Sequence, residues 1–216
     1  MKKVILLFVA LVAIAIPTMA FTPSDGYSEE LKGRDRNNST IKPHIEVNVG
    51  YITAGKLATR NFGKLDTNLS RPYVDAIIGA RFNQYLSLGV GVGVQYAYGQ
   101  SKLANLGTGD YAETWGALCI PIYGNVKAHY PVSRLVAPYI SVSIGGNIVA
   151  KSNFERDGYG KINGGLMMKF GAGVAISKFH LGLGLATQSL EWVSQAGETN
   201  FKGGNNALYI EAGVCF

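Results

Sequence analysis

From His44 to Phe216, apolar residues alternate with polar or very small ones in eight segments, which are separated by stretches rich in Gly, Asn, Ser and Asp. Successive side chains of a β-strand point to opposite faces, so this period of two predicts eight strands, each with one apolar face. In the third segment, for example, Leu88, Val90 and Val92 alternate with Gly89 and Gly91. The pattern predicts an all-β fold in a single domain.

The two faces differ in charge, and this difference predicts which one points inward. The apolar parity is uncharged in every segment, while the opposite parity combines many glycines with a few charged residues: Glu46, Asp75, Arg81, Lys127, Lys169 and Glu211. A soluble ligand-carrier barrel, the alternative, needs a densely charged outer face, yet charged residues make up 16% of this chain, against ~25% in ordinary soluble domains. We therefore predict an eight-stranded antiparallel up-and-down transmembrane β-barrel with its apolar face toward lipid.

The connections between strands predict the orientation of this barrel in a membrane. Those after the second, fourth and sixth strands are short, and the others are longer. Outer-membrane barrels have short periplasmic turns and longer outer loops, so both termini are expected in the periplasm. The expected outer loops are residues 56–70, 99–112, 151–160 and 193–204. Aromatic residues would mark a periplasmic rim (Tyr85, Tyr130, Phe179 and Phe216) and an outer rim (Tyr51, Tyr96 and Tyr98).

Two residues fit the alternation poorly. Pro121 lies inside the fourth segment, where proline removes a hydrogen bond from the ladder, so a bulge or local irregularity is expected there. Trp192 has the wrong parity, which predicts that the alternation lapses above Thr187.

The first twenty residues have the pattern of a secretory signal. Lys2 and Lys3 precede an apolar run of 13 residues and a small-residue ending, which predicts cleavage between Ala20 and Phe21. A spanning helix needs ~20 apolar residues, so a retained anchor is disfavoured. We expect residues 21–43, which are polar and without a period, to form a flexible periplasmic lead, and residues 44–216 to form the barrel.

The end of the eighth segment carries a resemblance to a known family. Ile210, Ala212, Val214 and the terminal aromatic Phe216 stand at two-residue steps. With the signal and the eight segments, they make residues 44–216 resemble the small outer-membrane barrels of the OmpA/OmpX type, and most of all the barrel-only porin-family proteins of the Bacteroidetes. The resemblance implies that the barrel-assembly machinery recognises these four residues, and that the partners are outer-membrane lipid and lipopolysaccharide.

The six charged residues of the polar parity support two functional interpretations. They could form an ion pathway, but an eight-stranded barrel is about filled by side chains, so a network of salt bridges that plugs the lumen is favoured. Glu46 and Glu211 lie on neighbouring first and eighth strands and would need Lys or Arg between them. The predicted function is a structural or surface role in the outer membrane, with a small passive channel or an adhesin acting through the outer loops as alternatives.

Other chemistry has little support in the sequence. His44, His129 and His180 all map to the periplasmic ends of their strands, whereas outer-membrane lipid hydrolases use a histidine near the outer leaflet, and the three lack zinc-ligand spacing. We expect no enzyme, cofactor or metal site. Cys119 and Cys215 should lie roughly 25 Å apart along the lumen and remain unpaired thiols. A scattered net charge of +6 does not indicate nucleic acid.

Overall fold

A computed structural model describes residues 41–59, 64–82, 84–102, 112–133, 135–152, 161–193 and 199–216. Eight strands make up this part of the chain: β1 (Lys42–Thr59), β2 (Lys64–Arg81), β3 (Leu86–Lys102), β4 (Ala112–His129), β5 (Val136–Ser152), β6 (Lys161–Ile176), β7 (Phe179–Val193) and β8 (Thr199–Cys215). Each strand pairs with the next, and β8 pairs antiparallel with β1, which closes the sheet into a barrel. The predicted all-β, eight-stranded, antiparallel up-and-down fold is confirmed.

The predicted signal segment, with its cleavage site at Ala20 and Phe21, and nearly all of the predicted lead lie outside the described residues. Within the described part of the chain, no helix is long and apolar enough to cross a membrane.

The two faces of the barrel point as the alternation predicted. Val90 and Val92 on the outer face are 63% and 50% exposed, while Asp75 and Lys169 on the inner face are 2% and 6% exposed. A soluble carrier barrel would have the reverse arrangement, so the structure contradicts that alternative. The molecule encloses its charges and presents its large apolar side chains outward.

The seam between β1 and β8 uses the last residues of the chain. The Phe216 amide donates to the Ile45 carbonyl (2.7 Å), and the Ile45 amide donates to the Phe216 carbonyl (3.2 Å). Val214 pairs with Val47, and Ala212 pairs with Val49. The segment predicted as an assembly signal thus forms the strand edge that closes the barrel.

The strands at the end of the barrel away from the termini are longer than predicted. The structure assigns most of the predicted loops 56–70 and 193–204 to strands, because β1 runs to Thr59, β2 begins at Lys64 and β8 begins at Thr199. Likewise β3 extends to Lys102, inside the predicted loop 99–112. Alternation identifies a strand where one face is apolar. These extensions are mostly polar, with isolated apolar residues such as Leu69, so the pattern did not distinguish them from loops. Ala112 begins β4 and Ser152 ends β5, and the remaining residues of the four predicted loops lie outside the described residues.

A β-bulge in β6 reverses the predicted parity beyond it. Gly164 pairs with Leu190, whereas Met167 pairs with Gln188, so β6 carries one extra residue between these pairs. As a result Ile162, predicted to face outward, is buried at 7% exposure, and Asn163, predicted to face inward, takes the other parity. The prediction for these two residues was wrong because the extra residue of the bulge shifts the parity, and the hydrophobic pattern does not show where a bulge lies.

The alternation in β7 does not lapse above Thr187, as Trp192 had suggested. Gln188 and Leu190 are 1% and 5% exposed, so both keep the inward parity, and the strand runs on to Val193. The prediction was wrong because the interior itself becomes apolar at this end of the barrel.

The irregularity expected at Pro121 is present. Pairing of β3 with β4 runs to Val92 and Ile122 and resumes at Gln95 and Cys119, so it is interrupted beside Pro121. The pairing of β4 with β5 also shifts register between Leu118 and Cys119.

Candidate functional site

Six buried inward side chains form a network of charges, here called the charged layer: Glu46, Asn48, Asp75, Lys127, Lys169 and Glu211. Lys127 Nζ lies 2.7 and 2.8 Å from the two carboxylate oxygens of Glu46. Lys169 Nζ lies 3.2 Å from Asp75 Oδ2 and 3.7 Å from Glu211 Oε2. Each of these carboxylates therefore has a lysine partner inside the barrel.

Asn48 joins the two halves of this network. Its Nδ2 donates to Glu46 Oε1 and to Asp75 Oδ1, at 2.9 Å in both cases. Tyr73 extends the network further by donating its hydroxyl to Glu211 Oε2 at 2.9 Å. The bonds of Asn48 connect the two groups of ion pairs into one network. Hydrogen bonds to charged groups are stronger than those between neutral groups.

Five of the six predicted lumen charges meet in this layer. The sixth, Arg81, lies at the end of the barrel that holds the termini, where its Nη2 donates to the Gln84 carbonyl at 3.4 Å. Glu46 pairs along the seam with Cys215, and Glu211 pairs with Gly50, so the two carboxylates lie at different heights. A cation was expected between the two carboxylates. Instead, each carboxylate has its own lysine: Lys127 pairs with Glu46, and Lys169 pairs with Glu211.

Four buried tyrosines, which the sequence reasoning missed, pack around the two lysines: Tyr73, Tyr123, Tyr139 and Tyr209. Lys169 Nζ lies 4.5, 5.1 and 5.5 Å from the ring centroids of Tyr73, Tyr123 and Tyr209, and Lys127 Nζ lies 4.6 Å from that of Tyr139. A cation within ~6 Å of an aromatic face is attracted by the ring quadrupole. The rings thus stabilise the lysines and fill the space between them.

Each of these rings occupies space that a glycine leaves on another strand. A Cβ added at Gly91 would lie 2.4 Å from the Tyr123 ring, and one added at Gly50 would lie 2.4 Å from the Tyr73 ring. Gly173 stands in the same relation to Tyr139, and Gly171 to Tyr209. The alternation predicted that these glycines face the lumen. Their tyrosine partners depend on strand register, which the sequence pattern does not give.

A second group, here called the amide layer, lies farther from the termini and consists of Arg71, Gln95, Gln188 and Asn205. Arg71 is fully buried; its Nη1 donates to Gln188 Oε1, and its Nη2 donates to Asn205 Oδ1 at 3.0 Å. Gln95 Nε2 donates to the same Gln188 oxygen at 3.2 Å. The sequence analysis does not identify Arg71 as a lumen residue, because Arg71 directly follows the expected loop 56–70.

Beyond the amide layer the interior is apolar. A cluster of buried side chains fills it: Leu69, Ala97, Ala117, Cys119, Ile162 and Leu190. Within the described residues, a cavity of about 10 Å³ lies in the charged layer. That volume holds about one water molecule.

At the end of the barrel that holds the termini, Glu46 meets a group of sulfur and imidazole side chains. His44 Nε2 lies 3.4 Å from Glu46 Oε2, and His180 Nε2 lies 3.4 Å from Glu46 Oε1. Cys215 Sγ lies 3.8 Å from Glu46 Oε2 and 3.6 Å from His180 Nδ1. His129, the third histidine at this end, packs against Tyr139 with ring centroids 5.8 Å apart.

The two cysteines lie in different parts of the lumen. Cys119 is buried beside the amide layer and Cys215 is partly exposed at the terminal end, and both are free thiols.

Comparisons with known proteins give matches among solved structures alone. No family model matches the chain, and no curated protein does. The chain is similar to outer membrane protein OprG from Pseudomonas aeruginosa (10% identity, 81% of this chain, 95% of that one, TM-score 0.47). It is also similar to the outer membrane enzyme PagL (13% identity, 78% of this chain, 98% of that one, TM-score 0.43). A third similar structure is Neisserial surface protein A (12% identity, 81% of this chain, 98% of that one, TM-score 0.40). At these identities and TM-scores, the likenesses assign no function to this chain.

Proposed function

We propose that this chain is an integral protein of the bacterial outer membrane, with a structural or surface role and a plugged lumen. Many large apolar side chains of the outer face are exposed, including Ile78, Leu183 and Ile210 at 60% or more. Monomeric soluble proteins rarely expose an apolar surface that encircles the molecule. Lipid is the solvent that such a face requires, and a closed barrel leaves no unpaired strand edge in it.

The buried network inside the barrel is the observation that supports the structural role. Lysine–carboxylate pairs, tyrosine rings and an apolar cluster occupy the interior in succession, and the cavity in the charged layer accommodates about one water molecule. A passive channel needs a continuous water-filled path. We therefore favour a structural or surface protein over a channel.

Several further features belong to this proposal. Both termini would face the periplasm, outer-membrane lipid and lipopolysaccharide would surround the barrel, and the barrel-assembly machinery would recognise the final strand. Membership of the barrel-only porin-family group of the Bacteroidetes and the absence of enzymatic activity stay predictions. Adhesion through the outer loops concerns residues that lie largely outside the described part of the chain.

Membrane insertion is tested first, by fractionating cells that express the untagged chain. We expect the protein in the outer-membrane fraction, resistant to extraction with urea, and with an electrophoretic mobility that changes on boiling. A monomer that stays soluble without detergent after signal removal would contradict the proposal.

The plug is tested by recording currents through the purified protein in planar bilayers. We expect no steady open current from the wild type. Ser143→Phe adds bulk beside the cavity, and Thr187→Phe adds the same bulk on the exposed outer face as a matched control. A steady wild-type current that Ser143→Phe abolishes and Thr187→Phe preserves would establish the channel instead.

A further inference from the structure

Three potential metal ligands meet at the terminal end of the lumen, although they are far apart in the sequence. A ring nitrogen of His44, a carboxylate oxygen of Glu46 and Cys215 Sγ all lie within 4.8 Å of one another. Barrel closure creates this cluster, because the β1–β8 pairing places Glu46 directly opposite Cys215. From this geometry we infer a binding site for one zinc ion, formed by His44, Glu46 and Cys215.

Two of the three separations are close to those that a tetrahedral ion imposes on its ligands. Zn–N and Zn–O distances of ~2.1 Å and a Zn–S distance of ~2.3 Å imply tetrahedral edges of roughly 3.4 Å between N and O ligands and roughly 3.6 Å between S and O ligands. His44 Nε2 and Glu46 Oε2 are 3.4 Å apart, and Cys215 Sγ and Glu46 Oε2 are 3.8 Å apart. The third separation, between the His44 ring nitrogen and Cys215 Sγ, is within 4.8 Å and shortens by up to about 1.2 Å when an ion binds.

The chemistry of the donors favours zinc among the divalent metals. An imidazole, a carboxylate and a thiolate are the three ligand types that zinc takes in proteins, whereas Ca²⁺ and Mg²⁺ prefer oxygen ligands throughout. On binding, the Cys215 thiol becomes a thiolate and releases one proton to solvent, while His44 binds through its neutral ring. Three protein ligands leave a fourth position, and His180 is a further imidazole in contact with both Glu46 and Cys215.

Neighbouring groups hold this cluster in place. His180 Nε2 has no hydrogen-bond partner, and His180 lies over Gly213, where an added Cβ would approach the ring to 2.4 Å. Lys127 bonds to both Glu46 oxygens, yet a carboxylate has about four acceptor positions, so an ion can bind while the lysine stays. Cys215 is partly exposed, which gives an ion access from water.

The experiment titrates zinc chloride into the untagged, metal-stripped full chain folded in detergent, followed by calorimetry. We expect one zinc ion per chain and the release of one proton from the thiol. Cys215→Ser and His44→Gln should each weaken binding by at least about 100-fold, since even partners that only orient a ligand cost 10–100-fold. Cys119→Ser and His129→Gln, which remove the other cysteine and the third histidine, should change the affinity by less than about threefold.

Cobalt(II) provides a spectroscopic readout of the metal ligands in variants that fold. The wild type should show a thiolate-to-cobalt charge-transfer band, which Cys119→Ser keeps and Cys215→Ser loses. Boiling-dependent mobility identifies variants that fail to fold. A wild type that lacks the band, or that binds zinc no more tightly than Cys215→Ser, overturns the site and leaves the proposed membrane role unaffected.

Discussion

The charged layer and the amide layer bury cations in the same lumen but satisfy them differently. In the charged layer, Lys169 lies between the carboxylates of Asp75 and Glu211. In the amide layer, the fully buried guanidinium of Arg71 donates to the amide oxygens of Gln188 and Asn205. An ion pair that loses one member leaves an uncompensated charge behind, whereas a neutral acceptor that loses its donor leaves a polar group. The charged layer should therefore tolerate substitution less well.

The largest effect is expected from removing the central cation. Lys169→Met leaves two buried carboxylates without their lysine and should lower the free energy of unfolding by about 3–5 kcal/mol, while Arg71→Met, the matched change in the amide layer, should lower it by about 1–3 kcal/mol. Urea titration of the protein folded in lipid vesicles measures both. Equal losses, or a larger loss for Arg71→Met, would remove the distinction between the layers.

Amide side chains in the two layers should differ in the same direction. Asn48→Leu removes hydrogen bonds to two carboxylates, so we expect a loss of about 1.5–3 kcal/mol in unfolding free energy. Gln95→Leu removes one bond to a neutral amide and should cost about 0.5–1.5 kcal/mol. The same urea titration compares them, and a Gln95→Leu variant that is less stable than Asn48→Leu would contradict this ranking.

Glycines that border the tyrosines should be sensitive to added volume. At Gly184, a Cβ would lie 2.2 Å from the Phe170 carbonyl oxygen and 2.8 Å from the Tyr209 ring, so Gly184→Ala should cost about 1–3 kcal/mol. Gly146, with nothing within 4 Å of an added Cβ, is the control, and Gly146→Ala should change stability by less than about 0.5 kcal/mol. Thermal unfolding followed by boiling-dependent mobility tests the pair.

The smallest expected effect concerns the access of small molecules to the two ends of the lumen. Cys215 is partly exposed and Cys119 is fully buried, so a small maleimide should label Cys215 at least about tenfold faster. Mass spectrometry of the single-cysteine variants Cys119→Ser and Cys215→Ser gives the two rates. Faster labelling of Cys119 would show that the apolar end, rather than the terminal end, admits small molecules.

Much of the fold was predictable because it depends on local alternation. The parity that carries Val90 and the parity that carries Asp75 differ in composition, and that contrast predicted both the strands and their orientation. Prediction failed where the signal depends on a bulge, as at Ile162, or where both faces of a strand are polar, as near Thr199. In both places the backbone continues a strand that the hydrophobic pattern does not reveal.

Less of the candidate site was predictable, because its contacts join distant strands. Inward parity identified the two lysines and three carboxylates, but their partners depend on the height of each residue in the barrel. The histidines have no zinc-ligand spacing in the sequence, and the expectation of no metal site rested on that pattern. It could not reveal that the closing seam brings His44 to Cys215.

The sequence by itself determined the strands, the apolar outer face and the set of side chains available to the lumen, because a period of two is a property of neighbouring residues. Register and closure decided which of those side chains touch: Lys127 with Glu46, Tyr123 over Gly91, and His44 beside Cys215. A shift of two residues between strands keeps every side chain on its own face yet changes its partners. The contacts of the lumen therefore belong to the tertiary structure.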